Sequence, residues 1–162
     1  MHTYTLSLGS NIQPRLGYLR RALKSLGERG EVLACSSIYE TSPVGMETGD
    51  IFLNCALSYQ SRLIPPDLLC FVKQIEQDSG RDLNEYMVPR TLDIDIISWS
   101  GGAWHDDRLI LPHPRAAQRL FVIIPCNELC AGAYAVIEDA RQGIALYGNS
   151  ALLFAEHAKE SA

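Results

Sequence analysis

The chain has 162 residues and a formal net charge of −5, with 47% hydrophobic and 20% charged residues. This composition is typical of a soluble globular protein rather than a disordered one, and the length predicts a single domain over residues 1–162. The acidic charge disfavours a nucleic-acid partner, because such proteins need a basic face. No apolar segment approaches the ~20 residues that span a bilayer, and the first residues lack a secretory-signal pattern. We therefore expect a cytoplasmic protein without a membrane partner.

Hydrophobic periodicity predicts six main elements in the first hundred residues. In chain order they are a strand at 3–8, a helix at 16–26, strands at 32–41 and 52–59, a helix at 65–80 and a strand at 92–99. This βαββαβ order is the split β-α-β arrangement of a ferredoxin-like α+β domain, in which helices pack on an antiparallel sheet. A C-terminal extension is expected to add a short strand near 103–104, a helix over 119–129 and a weak helix over 150–160.

Two carboxylates stand out on the last of these strands. Asp93 and Asp95 are two residues apart, so they project from the same face of the strand, while Leu92, Ile94 and Ile96 point to the other. A rigidly held carboxylate pair suits Mg²⁺, which prefers a few carboxylates together with water and phosphate oxygens. A solvated sheet face that carries two aspartates is the alternative interpretation of this pattern.

Basic residues gather around this pair although the chain as a whole is acidic. Arg90 precedes the aspartates, and Arg108, His113, Arg115 and Arg119 follow within a short stretch. Guanidinium groups bind phosphates through bidentate hydrogen bonds. The cluster therefore predicts an anionic ligand such as a nucleotide, although each arginine taken alone is compatible with a surface charge.

Polar residues also interrupt two other predicted strands. Gly9-Ser10-Asn11 follows the first strand, where it could cap the next helix or present backbone amides to a ligand. Asn54 lies in an apolar strand, where its amide needs partners, and either a heterocycle edge or a neighbouring loop could supply them. The chain contains no P-loop pattern.

In their order along the chain, these motifs resemble the 6-hydroxymethyl-7,8-dihydropterin pyrophosphokinase family of the folate pathway. The resemblance covers residues 4–129. The matching pieces are Leu8-Gly9-Ser10-Asn11, Tyr39-x-Thr41-x-Pro43-x-Gly45, Leu53-Asn54, Gln74-Ile75-Glu76, Gly80-Arg81, Pro89-Arg90-Thr91-Leu92-Asp93-Ile94-Asp95-Ile96, Arg108-Leu109, Pro112-His113 and Arg119-x-Phe121. Each piece is weak alone, but the ordered set is specific.

The resemblance implies transfer of pyrophosphate from ATP to the pterin hydroxymethyl group, with release of AMP. It implies that Asp93 and Asp95 hold two Mg²⁺ ions and that Arg81 and Arg90 act with them in catalysis. The implied ATP-binding residues are Glu76, Arg81, Arg90, Arg108, His113 and Arg119. The implied pterin-binding residues are Thr41, Pro43, Val44, Gly45, Phe52, Asn54 and Phe121, with the two phenylalanines stacking on the pterin.

One segment departs from the family pattern. Residues 82–88 read Asp-Leu-Asn-Glu-Tyr-Met-Val, where the family has a basic lid loop that ends in Arg-Trp-Gly before the proline and arginine. Two acidic residues have appeared and the basic residue is gone. Two alternatives therefore stay open beside the family activity: the same chemistry on a different pterin in another one-carbon carrier pathway, or a pterin- or nucleotide-binding paralogue without catalysis.

Overall fold

The computed structural model describes residues 1–43, 50–81, 89–139 and 141–155. Eight strands, four α-helices and one 3-10 helix are present in these ranges. In chain order they are β1 (His2–Ser10), α1 (Arg15–Leu26), β2 (Gly30–Cys35), β3 (Ile38–Thr41), β4 (Phe52–Ser61), α2 (Pro65–Asp78), β5 (Asp93–Trp99), β6 (Trp104–His105), β7 (Ile110–Leu111), the 3-10 helix (Ala116–Gln118), α3 (Leu120–Leu129), β8 (Ile144–Gly148) and α4 (Ala151–Phe154).

Six of the strands form one antiparallel sheet in the order β5-β1-β4-β3-β8, and β2 also pairs with β4. The two short strands β6 and β7 form a separate hairpin. The predicted ferredoxin-like α+β arrangement is confirmed, since β1 lies between β4 and β5 and two helices follow β1 and β4. None of the helices in the described ranges has the length and apolar character that a bilayer span requires.

The structure differs from the predicted elements at three main places. The strand expected over 32–41 is divided into β2 and β3, because Ser36 turns into the sheet and exchanges hydrogen bonds with Ala56: its backbone N–H donates to Ala56 C=O, and its hydroxyl accepts from Ala56 N–H. The edge strand β8 was not predicted, since its exposed residues give no clean alternation. The weak helix expected over 150–160 is the single turn α4, and residues 156–162 lie outside the described ranges.

The two faces of the sheet are covered by different helices. On one face, α1 and α2 cover a large apolar core that includes Leu6, Leu57 and Ile94, each at most 1% exposed. On the other face, α3 covers a smaller apolar cluster built around Ile97 and Val122. Because successive residues of a strand point to opposite faces, the residues between the core positions of β1, β4 and β5 face the α3 side.

Candidate active site

The site residues of three strands lie in two neighbouring rows on the α3 side of the sheet. Asp93 of β5 pairs with Gly9 of β1, and Gly9 pairs in turn with Asn54 of β4. In the next row, Asp95 pairs with Ser7. The alternation that buries Leu8 and Ile94 on the other face thus places both aspartates beside the predicted pterin residue Asn54.

Asp93 is held by two arginines from different segments. Arg81, just beyond α2, forms a salt bridge with one carboxylate oxygen, and Arg90, just before β5, forms a salt bridge with the other. Burial alone would raise the pKa of Asp93, but the positive charges of Arg81 and Arg90 outweigh it and lower the pKa below its ordinary value. Asp93 is therefore held as a carboxylate between two cations.

Glu76 lies beneath this cluster with its side chain wholly buried. Its carboxylate accepts hydrogen bonds from the backbone N–H of Ile94, at 2.7 Å, and from Lys73, at 2.9 Å, and it lies 2.8 Å from the Arg81 guanidinium. Burial raises the pKa of Glu76, and the charges of Lys73 and Arg81 oppose that shift. Through these contacts the buried Glu76 carboxylate holds both the Arg81 guanidinium and the backbone at the start of β5 in place.

The segment Gly9-Ser10-Asn11 fixes the backbone of Arg90. The N–H of Asn11 donates to the carbonyl of Arg90 at 3.1 Å, and the Asn11 side-chain oxygen accepts from Arg90 N–H at 2.6 Å. Asn11 is 1% exposed, so neither bond competes strongly with water. Of the two predicted roles, the helix cap is not observed, since the N-cap residue of α1 is Pro14, and the ligand contact stays a prediction. The structure adds a third role, in which Asn11 holds the backbone of Arg90.

Asp95 lies near a second group of basic residues. Its carboxylate is 3.7 Å from the guanidinium of Arg119, the residue that precedes α3, and it interacts electrostatically with His113. Burial and the negative charge of Asp93 raise the pKa of Asp95 above its ordinary value, and His113 and Arg119 oppose the shift. Unlike Asp93, this carboxylate has no closer cationic partner in the described part of the chain that would compensate its burial.

The side-chain amide of Asn54, on β4, lies close to Gly9 of the neighbouring strand β1. Its Nδ2 donates to the hydroxyl of Thr41 at 2.6 Å, and a Cβ atom at Gly9 would lie 2.7 Å from its Oδ1. A glycine at position 9 is therefore required by the close approach of the amide. Thr41 and Asn54, both predicted to bind the pterin, form one buried polar pair.

Among the remaining predicted residues that the structure describes, Arg108 alone is not placed near this face. Phe52 is two residues before Asn54 on β4. Phe121 is the second residue of α3, and the centre of its ring lies 5.5 Å from the Arg119 guanidinium. Pro43 lines a cavity of about 730 Å³ between the 3-10 helix and residues 137–142. Arg108 contacts the sulfur of Cys70 on α2 at 3.7 Å, so the structure does not join it to the aspartates within the described residues. Val44 and Gly45 lie outside the described residues.

Lys73 is a basic residue near the site that sequence reasoning missed. It is bound to Glu76, and its charge lowers the pKa of both Asp93 and Asp95. The available signal was its position on α2, one turn before Glu76. Without the fold, that spacing cannot be told from an ordinary surface ion pair.

The donor set fits a hard divalent cation such as Mg²⁺. Asp93 and Asp95 supply carboxylate oxygens from one face of one strand, and burial, followed by the negative charge of Asp93, raises the pKa of Asp95. Within the ranges that the structure describes, no cluster of three or more His, Cys, Asp or Glu side chains could hold a metal ion. A cation bound here would complete its coordination with oxygens of the substrate or water.

A ferredoxin-like sheet that carries two carboxylates among Arg81, Arg90 and Arg119 is typical of an enzyme that transfers phosphoryl groups from a nucleotide. Residues 5–131 match the family described as 7,8-dihydro-6-hydroxymethylpterin-pyrophosphokinase (HPPK). The chain belongs to this family. The predicted family is confirmed.

Curated relatives agree with this assignment. The 2-amino-4-hydroxy-6-hydroxymethyldihydropteridine pyrophosphokinase of Bacillus subtilis (strain 168) is 42% identical over 127 residues, 77% of this chain and 76% of the relative. The "Bifunctional protein FolKE" of Lactococcus lactis subsp. cremoris is 38% identical over 152 residues, 93% of this chain and 44% of the relative. The chain therefore spans less than half the length of that bifunctional relative.

Solved structures show the same fold at low sequence identity. The chain superposes on a structure titled "HPPK-DHPS in complex with substrates" with a TM-score of 0.63 and 13% identity, covering 79% of this chain and 40% of that one. A Plasmodium falciparum HPPK-DHPS structure gives a TM-score of 0.63 and 12% identity, covering 94% of this chain and 45% of that one. These likenesses support the ferredoxin-like assignment alone.

Proposed function

We propose that this chain transfers the terminal pyrophosphate of ATP to the hydroxymethyl group of 6-hydroxymethyl-7,8-dihydropterin, giving AMP and the pterin diphosphate. The hydroxyl oxygen forms a bond to the β-phosphorus, the bond from that phosphorus to the oxygen bridging to the α-phosphate breaks, and the hydroxyl proton leaves. Such a transfer needs positioning and charge neutralisation more than covalent chemistry.

The arginines around the aspartates are proposed to bind the phosphates of ATP. Arg81 rests on the buried Glu76, and the backbone of Arg90 is held by Asn11, so both guanidinium groups start from restricted positions. Preorganised cations stabilise developing charge without reorganising during the reaction. Arg119 would add positive charge on the Asp95 side. His113 would contact ATP there through a mainly neutral imidazole, because burial lowers the pKa of His113. Arg108 would reach ATP from the β6–β7 hairpin.

Asp93 and Asp95 are proposed to hold two Mg²⁺ ions, which would neutralise the triphosphate and polarise its phosphoryl oxygens. For Asp93, ion binding and the salt bridges to Arg81 and Arg90 use the same carboxylate oxygens. We expect at least one of these arginines to leave Asp93 for a phosphate oxygen when ATP binds.

The pterin is proposed to bind beside Asn54. Its flat ring would lie between Phe52 and Phe121, and the buried Asn54–Thr41 pair would read the polar edge of the ring. Pro43, Val44 and Gly45 are proposed to complete this pocket. The hydroxymethyl group would then point along the sheet from Asn54 toward the aspartates.

The observation that carries this proposal is the pair of adjacent rows, with the aspartates on β5 and Asn54 on β4 facing the same side of the sheet. The test is AMP formation by the purified protein from MgATP and 6-hydroxymethyl-7,8-dihydropterin. We expect AMP only when the pterin is present, and its loss in Asp93→Ala. Asp67→Ala is the matched control, since it removes an exposed carboxylate from the first turn of α2.

Each outcome of this test is decisive. Equal AMP formation by Asp93→Ala and the wild type would overturn the metal assignment. Pterin and ATP binding without AMP would instead identify a binding protein of the same family. Circular dichroism of each variant separates a lost fold from a lost activity.

The same transfer to a different reduced pterin is a second candidate. It is favoured by residues 82–88, which carry two acidic residues and no basic one. Competition between 6-hydroxymethyl-7,8-dihydropterin and other 6-substituted dihydropterins tests it. A higher kcat/KM for another acceptor would support this candidate, and a preference for the hydroxymethyl compound would exclude it.

A further inference from the structure

The segment before β8 contacts the site from outside the region that the family match covers. Gln142 lies beyond residues 5–131, and its side-chain amide binds the backbone on both sides of Arg119. Its Oε1 accepts from Leu120 N–H at 2.8 Å, and its Nε2 donates to the carbonyl of Gln118 at 3.0 Å. The Gln142 side chain thus binds the backbone immediately before and after Arg119, the residue whose guanidinium lies near Asp95.

The orientation of this amide is fixed by a third partner. Its Nε2 also donates to the carboxylate of Asp139 at 3.0 Å, and the backbone N–H of Gln142 donates to the Asp139 carbonyl at 2.9 Å. With the amide reversed, Nε2 would face the Leu120 N–H and Oε1 would face two acceptors. Only one orientation satisfies all three groups.

The same segment is tied to the strand that carries Thr41. Ser42 N–H donates to the carbonyl of Gly143 at 3.0 Å, and Ile144 pairs with Thr41 as β8 joins the sheet. Gln142 therefore connects β3, on the proposed pterin side, with the start of α3. Through that start it connects to Arg119 and Phe121, whose side chains contact each other.

Arg119 needs such support because its own side chain forms no cap on α3, and its guanidinium lies 3.7 Å from Asp95. A long arginine loses considerable rotamer entropy when it is held in one place. Hydrogen bonds to the backbone on either side of Arg119 remove the backbone part of the ordering cost before the substrate binds, so only the side chain remains to be ordered.

We propose that Gln142 is a positioning residue of this enzyme: it holds the backbone of Arg119 so that the guanidinium stays beside Asp95 and over Phe121. This inference rests on the proposed function in one respect, the assignment of Arg119 to ATP. Gln142 itself is not expected to touch the substrate.

A double-mutant cycle tests the proposal. We expect Gln142→Ala and Arg119→Ala each to raise KM for ATP by about tenfold, and the double variant to be no worse than Arg119→Ala. Gln77→Ala is the matched control: it removes the same kind of side chain from an exposed position on α2, on the opposite face of the sheet from α3, so KM should not change. Effects that multiply in the double variant, or a loss of thermal stability in Gln142→Ala with KM unchanged, would overturn the proposal.

A second readout separates this inference from the proposed function. Amide hydrogen exchange at Leu120 should become faster in Gln142→Ala and stay unchanged in Gln77→Ala, whether or not the protein makes AMP. If the wild type makes no AMP, the proposed function fails, and the same cycle read by ATP binding still tests Gln142. Unchanged exchange at Leu120 in Gln142→Ala would overturn the inference even in an active enzyme.

Discussion

The two faces of the central sheet are built from the same strands, yet they differ sharply in what they bury. The face under α1 and α2 takes the apolar residues of β1, β4 and β5, such as Leu8, Leu57 and Ile94, and forms one continuous core. The face under α3 is apolar only around Ile97 and otherwise buries polar groups, including Asn54. Helix α3 covers this face incompletely, and the uncovered part holds the carboxylates.

This difference between the two faces means that residues important for stability and residues important for function lie on opposite sides of one sheet. Removing apolar atoms from the α1/α2 face leaves a cavity in a closely packed region. Changing a polar side chain on the α3 face alters charge and hydrogen bonding around a site that already holds carboxylates with shifted pKa values. Substitutions on adjacent residues of one strand should therefore have opposite consequences.

The largest effect is expected from Asp95→Asn. The substitution keeps the shape of the side chain but removes its charge, so AMP formation should fall about a hundredfold or more. Because burial and Asp93 already disfavour the charged form of Asp95, the free energy of unfolding should stay within about 1 kcal/mol of wild type. Steady-state AMP assays and urea unfolding measure the two quantities. A large loss of stability in Asp95→Asn would contradict the idea that the α3 face serves function and the other face stability.

Leu57→Ala tests the opposite face. Leu57 is fully buried in the core under α1 and α2, so its truncation should lower the free energy of unfolding by about 2–5 kcal/mol. Leu33→Ala is the control, since Leu33 is 49% exposed on β2 and should change stability by about 0.5 kcal/mol or less. The value of kcat, measured well below the melting temperature, should not change in either variant. A reduced kcat in folded Leu57→Ala would show that the faces are coupled.

The sequence predicted on which face of the sheet a residue lies better than it predicted which side chains contact each other. Alternation of Asp93 and Asp95 with Leu92, Ile94 and Ile96 assigned these five residues to their observed faces, because strand periodicity is local. The salt bridges of Asp93 required the positions of Arg81 and Arg90, which come from separate segments. That information lies in the tertiary fold and not in spacing.

The C-terminal extension was predicted least well. Strand β8 has no apolar alternation of its own and is held by pairing with β3, so tertiary contacts decide its structure. The role of Gln142 follows from that pairing and was equally invisible in the sequence. Asn11 was recognised as a polar residue at a strand end, but its clamp on Arg90 depends on a partner 79 residues away.

A smaller effect is expected from Gly9→Ala, which sharpens the comparison within the α3 face. The added Cβ would lie 2.7 Å from Asn54 Oδ1, so the amide must shift and its hydrogen bond to Thr41 is disturbed. We expect KM for the pterin to rise about tenfold, with KM for ATP unchanged, because a single neutral hydrogen-bonded pair is disturbed. In the background of Asn54→Ala, the same substitution should add little. An additive loss there would mean that Gly9 contributes independently of Asn54.

The smallest effect concerns Glu76, the buried carboxylate that lies between the two regions, on α2 beneath Arg81. Burial raises its pKa above the ordinary value of 4.5, so the folded protein binds this proton more tightly than the unfolded chain. The stability that this tighter proton binding contributes is present below pH 4.5 and is lost as the pH rises through the folded pKa.

Glu76→Gln has no such proton, so the stability of wild type relative to the variant should fall with rising pH across that window and level off above it. A tenfold difference in proton affinity between the folded and unfolded states corresponds to about 1.4 kcal/mol. Urea unfolding of both proteins from pH 4 to 8 measures the difference. A relative stability of wild type that rises with pH would mean that the ion pairs with Lys73 and Arg81 outweigh burial, so that Glu76 belongs energetically to the charged face.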